Sequence, residues 1–146
     1  MILYIKKKNE NGQPKVGVGI MILRQGKVLL GKRKGAHGTS TYGWVGGHLE
    51  FGETLENACR REALEETGLK IKSLKLICVS NIIQYNKHYL DLEFLGTIDP
   101  QTEPKLMEPD RVESWGWYDL DHLHQPLFKA VELAINSYQT GQIYNP

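Results

Sequence analysis

The sequence predicts a fold of the α/β (α+β) class in which a mixed β-sheet lies sandwiched between helices. Two segments have helical character, one marked by its capping residues and one by a stripe of apolar residues, and apolar runs of strand length surround both. The 146 residues show no break in composition, no internal repeat and no low-complexity stretch. We therefore expect a single domain that covers residues 1–146.

Six segments rich in apolar and β-branched residues are predicted to be strands: residues 1–8, 16–23, 27–34, 73–83, 89–95 and 114–118. In the second segment, Gly17 and Gly19 leave room for neighbouring backbone or a nucleotide to approach the strand. The third begins apolar and ends basic, which predicts a strand that runs out of the core toward a charged site. In the fifth, apolar and polar residues alternate strictly, so Glu93 is interpreted as a charge on the solvent side of its strand.

The first helix is bounded by residues that favour capping. Thr54 suits the N-cap position, Glu56 brings an anion to the positive end of the helix dipole, and Gly68 suits the left-handed residue that ends a helix. These signals predict a helix over residues 55–67.

Three glutamates of this helix lie where core residues are expected. At about 100° per residue, the stripe begun by Ala58 and Cys59 continues into Glu62, Glu65 and Glu66. A glutamate-rich face is often simply solvated, but like charges three and four residues apart repel one another, and burying them is costly without a cation. Oxygen ligands suit a hard divalent ion, Mg²⁺ or Mn²⁺, which shares its shell with substrate phosphates. The pattern therefore favours a metal site for phosphate chemistry.

A second helix is predicted near the C-terminal end, where apolar residues recur at intervals of three and four and Gly141 follows. The members of this stripe are Leu127, Ala130, Val131, Ala134, Ile135 and Tyr138. Residues 35–42 are small and polar, which predicts a flexible loop that either covers a ligand or is a plain exposed connection. Residues 100–109 predict an acidic loop that contains proline.

Charge and composition limit the class of partner. A formal net charge of +1 argues against the broad basic surface that nucleic acid polymers require, so the expected partner is a small-molecule nucleotide held in a pocket. No run approaches the roughly 18 apolar residues of a membrane span, so no membrane partner is expected. The two cysteines, Cys59 and Cys78, are interpreted as small buried hydrophobic residues rather than a disulfide, which fits a cytoplasmic, reducing setting.

Residues 47–69 resemble the Nudix box, G-x5-E-x7-R-E-U-x-E-E-x-G-U. All seven fixed positions match, and they are Gly47, Glu53, Arg61, Glu62, Glu65, Glu66 and Gly68. Two departures are mild: Ala63 is small where an aliphatic residue is usual, and Val45 stands where many relatives have proline. The resemblance implies the Nudix fold, in which this loop–helix–loop binds metals and cleaves a nucleoside diphosphate linked to another group.

Taken position by position, the resemblance also implies roles for residues of the box. Glu62, Glu65 and Glu66 would be metal ligands, and the carbonyl of Gly46 would be an extra ligand. Arg61 would orient the glutamates by ion pairing.

The general base varies within the family, which leaves four glutamates open: Glu53, Glu93, Glu108 and Glu113. We favour Glu113, because it stands just ahead of the S-W-G-W strand, where several relatives carry a catalytic or metal-linked glutamate.

Outside the box, residues 17–19, 29–35, 46–54 and 113–115 resemble the MutT-homologue nucleoside triphosphate diphosphatases. That branch forms homodimers and releases a nucleoside monophosphate and pyrophosphate. It implies that Phe128 stacks on the base, although core packing would account for Phe128 equally well. The backbone of Gly17 and Gly19 would line the same pocket. Arg33, whose fork can grip phosphate in two places, and His48 are the candidates for phosphate contact.

Two other functions stay open at this stage. The first is hydrolysis of ADP-ribose, of another nucleoside diphosphate linked to a different group, or of a dinucleoside polyphosphate. The second is a nucleotide sensor without catalysis, against which the intact set of glutamates argues.

Overall fold

The computed structural model of the chain describes residues 12–35 and 38–146. Its strands are β1 (Lys15–Arg24), β2 (Lys27–Arg33), β3 (Tyr42–Gly43), β4 (Val45–His48), β5 (Ser73–Gln84), β6 (Lys87–Thr97), β7 (Val112–Asp119) and β8 (Tyr144–Asn145). Its helices are α1 (Leu55–Thr67) and α2 (Lys129–Thr140). The strand predicted at residues 1–8 lies outside the described residues.

The described strands form one mixed sheet in the order β3-β2-β1-β6-β5-β8, with β4 paired to β1 and β7 paired to β2. The central pair, β1 and β6, is parallel, and its register sets Gly17 opposite Asp91 and Gly19 opposite Glu93. On its other side β1 pairs antiparallel with β4, so that Gly19 lies opposite Gly46. The predicted site glycines of β1 therefore lie between the box and β6.

A helix covers each face of the sheet, as the sequence predicts. On one face, α1 packs on a core that includes Ile20, Val45 and Phe94. On the other face, α2 packs on a core that includes Met21 and Trp44. Because side chains alternate along a strand, Gly17 and Gly19 face the α2 side together with Met21.

The caps of α1 form as predicted. The Thr54 hydroxyl accepts a hydrogen bond from the Asn57 backbone N–H, and Gly68 ends the helix in the left-handed conformation with φ of 71°. Both Cys59 and Cys78 are buried and free, which confirms their interpretation as core residues. Within residues 12–35 and 38–146, no helix has the length and apolar character needed to cross a membrane.

One side-chain prediction is wrong. The strict alternation of residues 89–95 is interpreted above as placing Glu93 toward solvent, yet only 1% of this residue is exposed. Both faces of the sheet are covered by a helix, so neither side of β6 is a solvent side at this point.

Candidate active site

The box brings two of its three helical glutamates into the interior. Glu62 and Glu66 are 7% and 8% exposed, whereas 52% of the Glu65 side chain is exposed. Glu62 and Glu66 lie one turn apart on the side of α1 that faces β4, next to the buried Ala63. The prediction that glutamates occupy core positions of this helix therefore holds for Glu62 and Glu66.

Two residues of β4 position these carboxylates in different ways. A Cβ atom at Gly47 would overlap the carboxylate of Glu62, and the backbone N–H of Gly46 donates to the carboxylate of Glu66. Any side chain at residue 47 would occupy the space that the Glu62 carboxylate fills. Gly47 therefore lets the helix approach the strand closely enough to bring Glu62 against backbone.

Arg61 is the hub of the ion pairs in the box. Its Nε and Nη2 donate to the two carboxylate oxygens of Glu53 at 2.8 and 3.0 Å, and its Nη1 donates to Glu62 Oε1 at 2.6 Å. Its Nη2 also donates to the carbonyl of His48 at 3.0 Å, which ties the helix to the end of β4. Arg61 is thus placed to fix the orientation of Glu62, and Glu53 is held as a partner of that arginine.

A further glutamate joins the cluster from a distant loop. The backbone N–H groups of Lys105 and Met107 donate to the carbonyls of Thr67 and Glu66, at 2.8 and 3.4 Å, so the loop before β7 docks on the C-terminal turn of α1. This docking brings Glu108 near enough to Glu62 and Glu66 for its charge to raise the pKa of both.

The Glu108 carboxylate has a buried oxygen without a partner. Its Oε2 makes no hydrogen bond within the described part of the chain, and the nearest cation, Arg111 Nη1, lies 3.9 Å away. A buried acceptor without a donor is costly unless a cation, a water or a substrate group meets it. The orphaned oxygen therefore points to a bound group beside the box.

The electrostatics of the cluster fit a divalent cation. Burial, with the nearby charges of Glu62 and Glu108, raises the pKa of Glu66 to about 8. Burial also raises the pKa of Glu62, against the opposing effect of Arg61. Three carboxylates that gather with too little positive charge form a site that a hard cation would stabilise.

The cluster as it stands does not close around a single point. No group of three acidic, histidine or cysteine side chains in residues 12–35 and 38–146 is arranged to hold a metal ion by itself. Glu62 Oε1 is bound to Arg61, and Glu65 turns toward solvent. An ion held by Glu62 and Glu66 would therefore complete its shell with water and substrate phosphate, as Mg²⁺ usually does.

Glu113, which we favour above as the base, lies in a different environment from Glu108. Its Oε2 pairs with Lys32 Nζ at 3.2 Å, and 52% of its side chain is exposed. An exposed ion pair of this kind is easily explained as surface structure. The contacts therefore make Glu108 the better candidate for the base.

The predicted substrate residues Arg33 and Phe128 contact each other. The Arg33 guanidinium lies over the Phe128 ring, 4.3 Å from its centroid, and packs beside Gly43. Burial lowers the pKa of Arg33, and the charges of Glu66 and Asp91 oppose this effect. Arg33 is thus within electrostatic reach of both the box and β6, and its contact with phosphate stays a prediction.

His48 is found at the edge of this region. Its ring stacks on Tyr89 with centroids 5.6 Å apart, and its Nε2 lies 3.2 Å from the Tyr89 hydroxyl. Burial and the nearby lysines Lys15 and Lys87 lower its pKa, so a neutral ring is favoured. Its contact with phosphate stays a prediction, and a neutral imidazole would act there as a hydrogen-bond donor.

The glycines of β1 serve a purpose that the sequence did not reveal. A Cβ atom at Gly17 would lie 2.6 Å from Asp91 Oδ1, and one at Gly19 would overlap the Glu93 carboxylate. The space beside Gly17 and Gly19, which the sequence suggests is open to backbone or a nucleotide, is therefore filled by the side chains of Asp91 and Glu93. The prediction that these glycines line a base pocket is untested.

Replacing Gly47 with Ala tests the packing of the box. The new methyl group would displace Glu62, so we expect at least a tenfold loss of hydrolytic activity in a protein that still folds. Replacing Gly96 with Ala is the matched control, because its methyl group would lie 2.6 Å from Ile20 Cγ2, away from the box acids, and should mainly lower the melting temperature. Equal activity of Gly47→Ala and the parent would contradict this account of Glu62.

A family of known proteins matches most of the chain. The NUDIX domain model matches residues 13–139. The chain belongs to the Nudix family. This membership confirms the predicted Nudix fold, and Nudix hydrolases as a class generally use divalent metal ions.

Individual relatives carry different names. The chain is 30% identical over 105 residues to an oxidized purine nucleoside triphosphate hydrolase of Danio rerio, covering 71% of this chain. It is 32% identical over 126 residues to an ADP-ribose pyrophosphatase of Methanocaldococcus jannaschii, covering 85% of this chain and 73% of that protein. The chain spans 65% of the length of the Danio rerio protein.

Among solved structures, a MutT NUDIX hydrolase from Burkholderia pseudomallei superposes on this Nudix chain with a TM-score of 0.82. The two sequences are 38% identical, and the match covers 86% of this chain and 98% of that chain.

Proposed function

We propose that this Nudix protein is a Mg²⁺-dependent hydrolase, with Mn²⁺ as a possible substitute, that converts nucleoside triphosphates to nucleoside monophosphate and pyrophosphate. The observation that carries the proposal is the cluster of Glu62, Glu66 and Glu108, with Arg33, whose charge acts on Glu66 and whose guanidinium lies over the ring of Phe128. Carboxylates that bind a cation beside an arginine and an aromatic ring supply the parts that a phosphate chain and a base require. A role in clearing unwanted nucleotides from the cellular pool fits this activity.

Each residue has a distinct part in the proposed reaction. Glu62 and Glu66 would hold the divalent ion, which would neutralise charge on the phosphoryl oxygens when bound. Arg33 would grip the phosphate chain, and Arg61 would keep Glu62 in position. The oxygen of a water molecule bonds to phosphorus as the bond from phosphorus to the bridging oxygen breaks, and Glu108 accepts the proton of that water.

The preference for a triphosphate has support outside the box. The stretches 17–19, 29–35 and 113–115 resemble the triphosphate diphosphatases, whereas the box is shared by every activity of the family. The relative in Danio rerio is named for triphosphate hydrolysis, and the relative in M. jannaschii favours ADP-ribose as a second candidate substrate. The two relatives are 30% and 32% identical to this chain, so an assay of both candidate substrates is the test that distinguishes them.

A panel of nucleotides with product identification tests the proposed function directly. The protein would be incubated with Mg²⁺ and, separately, with each common nucleoside triphosphate, ADP-ribose and a diadenosine polyphosphate. We expect pyrophosphate and a nucleoside monophosphate from a triphosphate as the fastest reaction. A preference for ADP-ribose would contradict the proposal, and binding without turnover would indicate a sensor.

Replacing Phe128 with Ala should raise KM for the best triphosphate more than it lowers kcat. Stacking of a base on an aromatic ring contributes about 1–3 kcal/mol, or roughly five-fold to more than a hundred-fold in affinity. The effect falls on KM because stacking acts alike on the ground state and the transition state. The measurement is steady-state kinetics, and an unchanged KM would mean that Phe128 is only a core residue.

Arg33→Ala is the companion variant, because it removes the cation that covers the Phe128 ring. If Arg33 binds phosphate oxygens on which charge increases during cleavage, its loss should lower kcat more than it raises KM. The opposite bias of the two variants distinguishes phosphate binding from base stacking.

The resemblance also supports a homodimer, and the free cysteines Cys59 and Cys78 fit a cytoplasmic, reducing setting. Light scattering of the purified protein measures the dimer, and a monomeric mass at micromolar concentration would contradict it.

A further inference from the structure

Two carboxylates of β6 lie on the α2 face of the sheet, apart from the box; Glu93 is buried and Asp91 is half-buried. Trp44 Nε1 donates to Glu93 Oε2 at 2.7 Å, which fixes Glu93 against the strand that leads into the box. Asp91 lies two residues earlier and so points to the same face. Within residues 12–35 and 38–146, no hydrogen-bond donor contacts the Asp91 carboxylate, and Arg33 is the cation whose charge acts on it.

The neighbouring strand is shaped to hold this acidic pair. Asp91 and Glu93 lie opposite Gly17 and Gly19 in the parallel register of β1 and β6. Since a side chain on either glycine would collide with the carboxylate beside it, both carboxylates extend across the backbone of β1. Because Gly17 and Gly19 have the same spacing as Asp91 and Glu93, the carboxylate oxygens of the two acids, rather than apolar atoms, lie on this surface of the sheet.

Packing alone does not account for such a pair. Burial raises the pKa of both carboxyl groups, and the charge of Asp91 raises the pKa of Glu93 further. Burying two like charges side by side destabilises a fold, so an apolar pair at these positions would pack better. The pair also lies on the same face of the sheet as the core that Phe128 packs against, and Arg33, whose guanidinium lies over the Phe128 ring, is the cation whose charge acts on Asp91.

We propose that Asp91 and Glu93 form the floor of the base subsite and select nucleobases that carry an exocyclic amino group, whose N–H donates to Asp91. This inference rests on the proposed function, because it takes the base to lie beside Phe128. Glu93, held by Trp44, acts as a positioning residue that keeps Asp91 upright over Gly17. A carboxylate oxygen accepts from an amino group, whereas it gains no partner from a base that has only hydrogen at that carbon.

Pairs of nucleotides that differ by one amino group test this selection. The probes are GMP against IMP, which lacks the 2-amino group, and AMP against purine riboside 5′-monophosphate, which lacks the 6-amino group. Calorimetry with Mg²⁺ present gives the dissociation constants for the parent, for Asp91→Ala and for Asp121→Ala. Asp121 is exposed in the turn that follows β7 and has no part in the proposed subsite, so its variant is the matched control.

A hydrogen bond to a charged group contributes enough to change affinity by about ten- to 150-fold. In the parent and in Asp121→Ala, we expect at least one nucleotide of these pairs to bind fivefold or more weakly when its amino group is missing. In Asp91→Ala, the ratio of the two dissociation constants of that pair should be less than a third of the ratio in the parent. Any other result in the parent overturns the proposal, and because the parent needs no mutation, this arm holds even if Asp91→Ala fails to fold.

The same experiment separates this inference from the proposed function. Monophosphates are bound without being cleaved, so the amino-group preference is measured whether or not triphosphates are hydrolysed. Release of pyrophosphate from GTP is assayed in parallel. Hydrolysis of GTP with no amino-group preference overturns only the role of Asp91, and a clear preference without hydrolysis overturns only the proposed reaction.

Discussion

Replacing Glu66 with Gln should lower kcat by roughly a hundredfold or more while the protein keeps its fold. The amide has nearly the shape of the carboxylate but lacks its charge, so the variant loses a strong oxygen ligand at the centre of the cluster. Glu56→Gln is the matched control, since Glu56 lies in the first turn of the same helix and is exposed. Turnover would be measured as pyrophosphate release at saturating Mg²⁺, and an unchanged rate would remove Glu66 from the site.

The stability of the same variant should change in the opposite direction. The folded pKa of Glu66 is about 8, above its ordinary value of 4.5, so between these pH values the folded state binds more protons than the unfolded state. The free energy of unfolding of the metal-free parent should therefore fall as the pH rises through this range. A pKa difference of one corresponds to about 1.4 kcal/mol, and Glu66→Gln removes this part of the fall.

Urea denaturation in the presence of a chelator, at pH 5 and at pH 8, measures this effect. At pH 8 the variant should be at least as stable as the parent. A variant that is much less stable at both pH values would show that Glu66 has a structural role in α1.

Glu108→Gln should also have a large effect, whereas Glu113→Gln should have a small one. Glu108 has a buried oxygen that accepts no hydrogen bond from the described residues and lies 3.9 Å from Arg111, but Glu113 is half exposed and lies 3.2 Å from Lys32. Loss of a general base typically costs about 10²–10⁴-fold in rate, and an exposed ion pair contributes little. We therefore expect at least a hundredfold loss of kcat for Glu108→Gln and less than a threefold change for Glu113→Gln.

The pH dependence of kcat separates a base from a structural acid. If Glu108 accepts the proton of water, its variant should lose the acidic limb of the profile as well as rate. A large loss in Glu113→Gln, with Glu108→Gln close to the parent, would restore the preference drawn from the sequence alone.

The sequence was sufficient for the box helix because its signals are local. Thr54, Gly68 and the spacing of Glu62 and Glu66 act within a few turns of one another, and the structure has the helix over Leu55–Thr67 as predicted. The strands were also predicted where runs of apolar residues are long. The short strands β3, β4 and β8 were not, because two to four residues carry too little pattern.

The roles of Glu108 and Glu113 could not be ranked from the sequence, because position along the chain says little about position in space. Glu108 lies four residues before β7, and Glu113 lies in the second position of that strand. Their difference arises from hydrogen bonds that dock the loop on the end of α1, between residues about 40 apart in the chain.

Asp91 and Glu93 of β6 are a second case in which the sequence predicts one feature and only the tertiary structure decides another. Alternation along β6 correctly placed both acids on one face, because the pleat of a strand fixes which residues share a side. It could not say that this face is covered by α2, or that Gly17 and Gly19 would lie beside the acids in a parallel register. The sequence by itself thus determined the two helices, the longer described strands, the family and the spacing of the glutamates in the box. Only the tertiary structure decided which acids are buried together, because burial and charge coupling depend on contacts between distant parts of the chain.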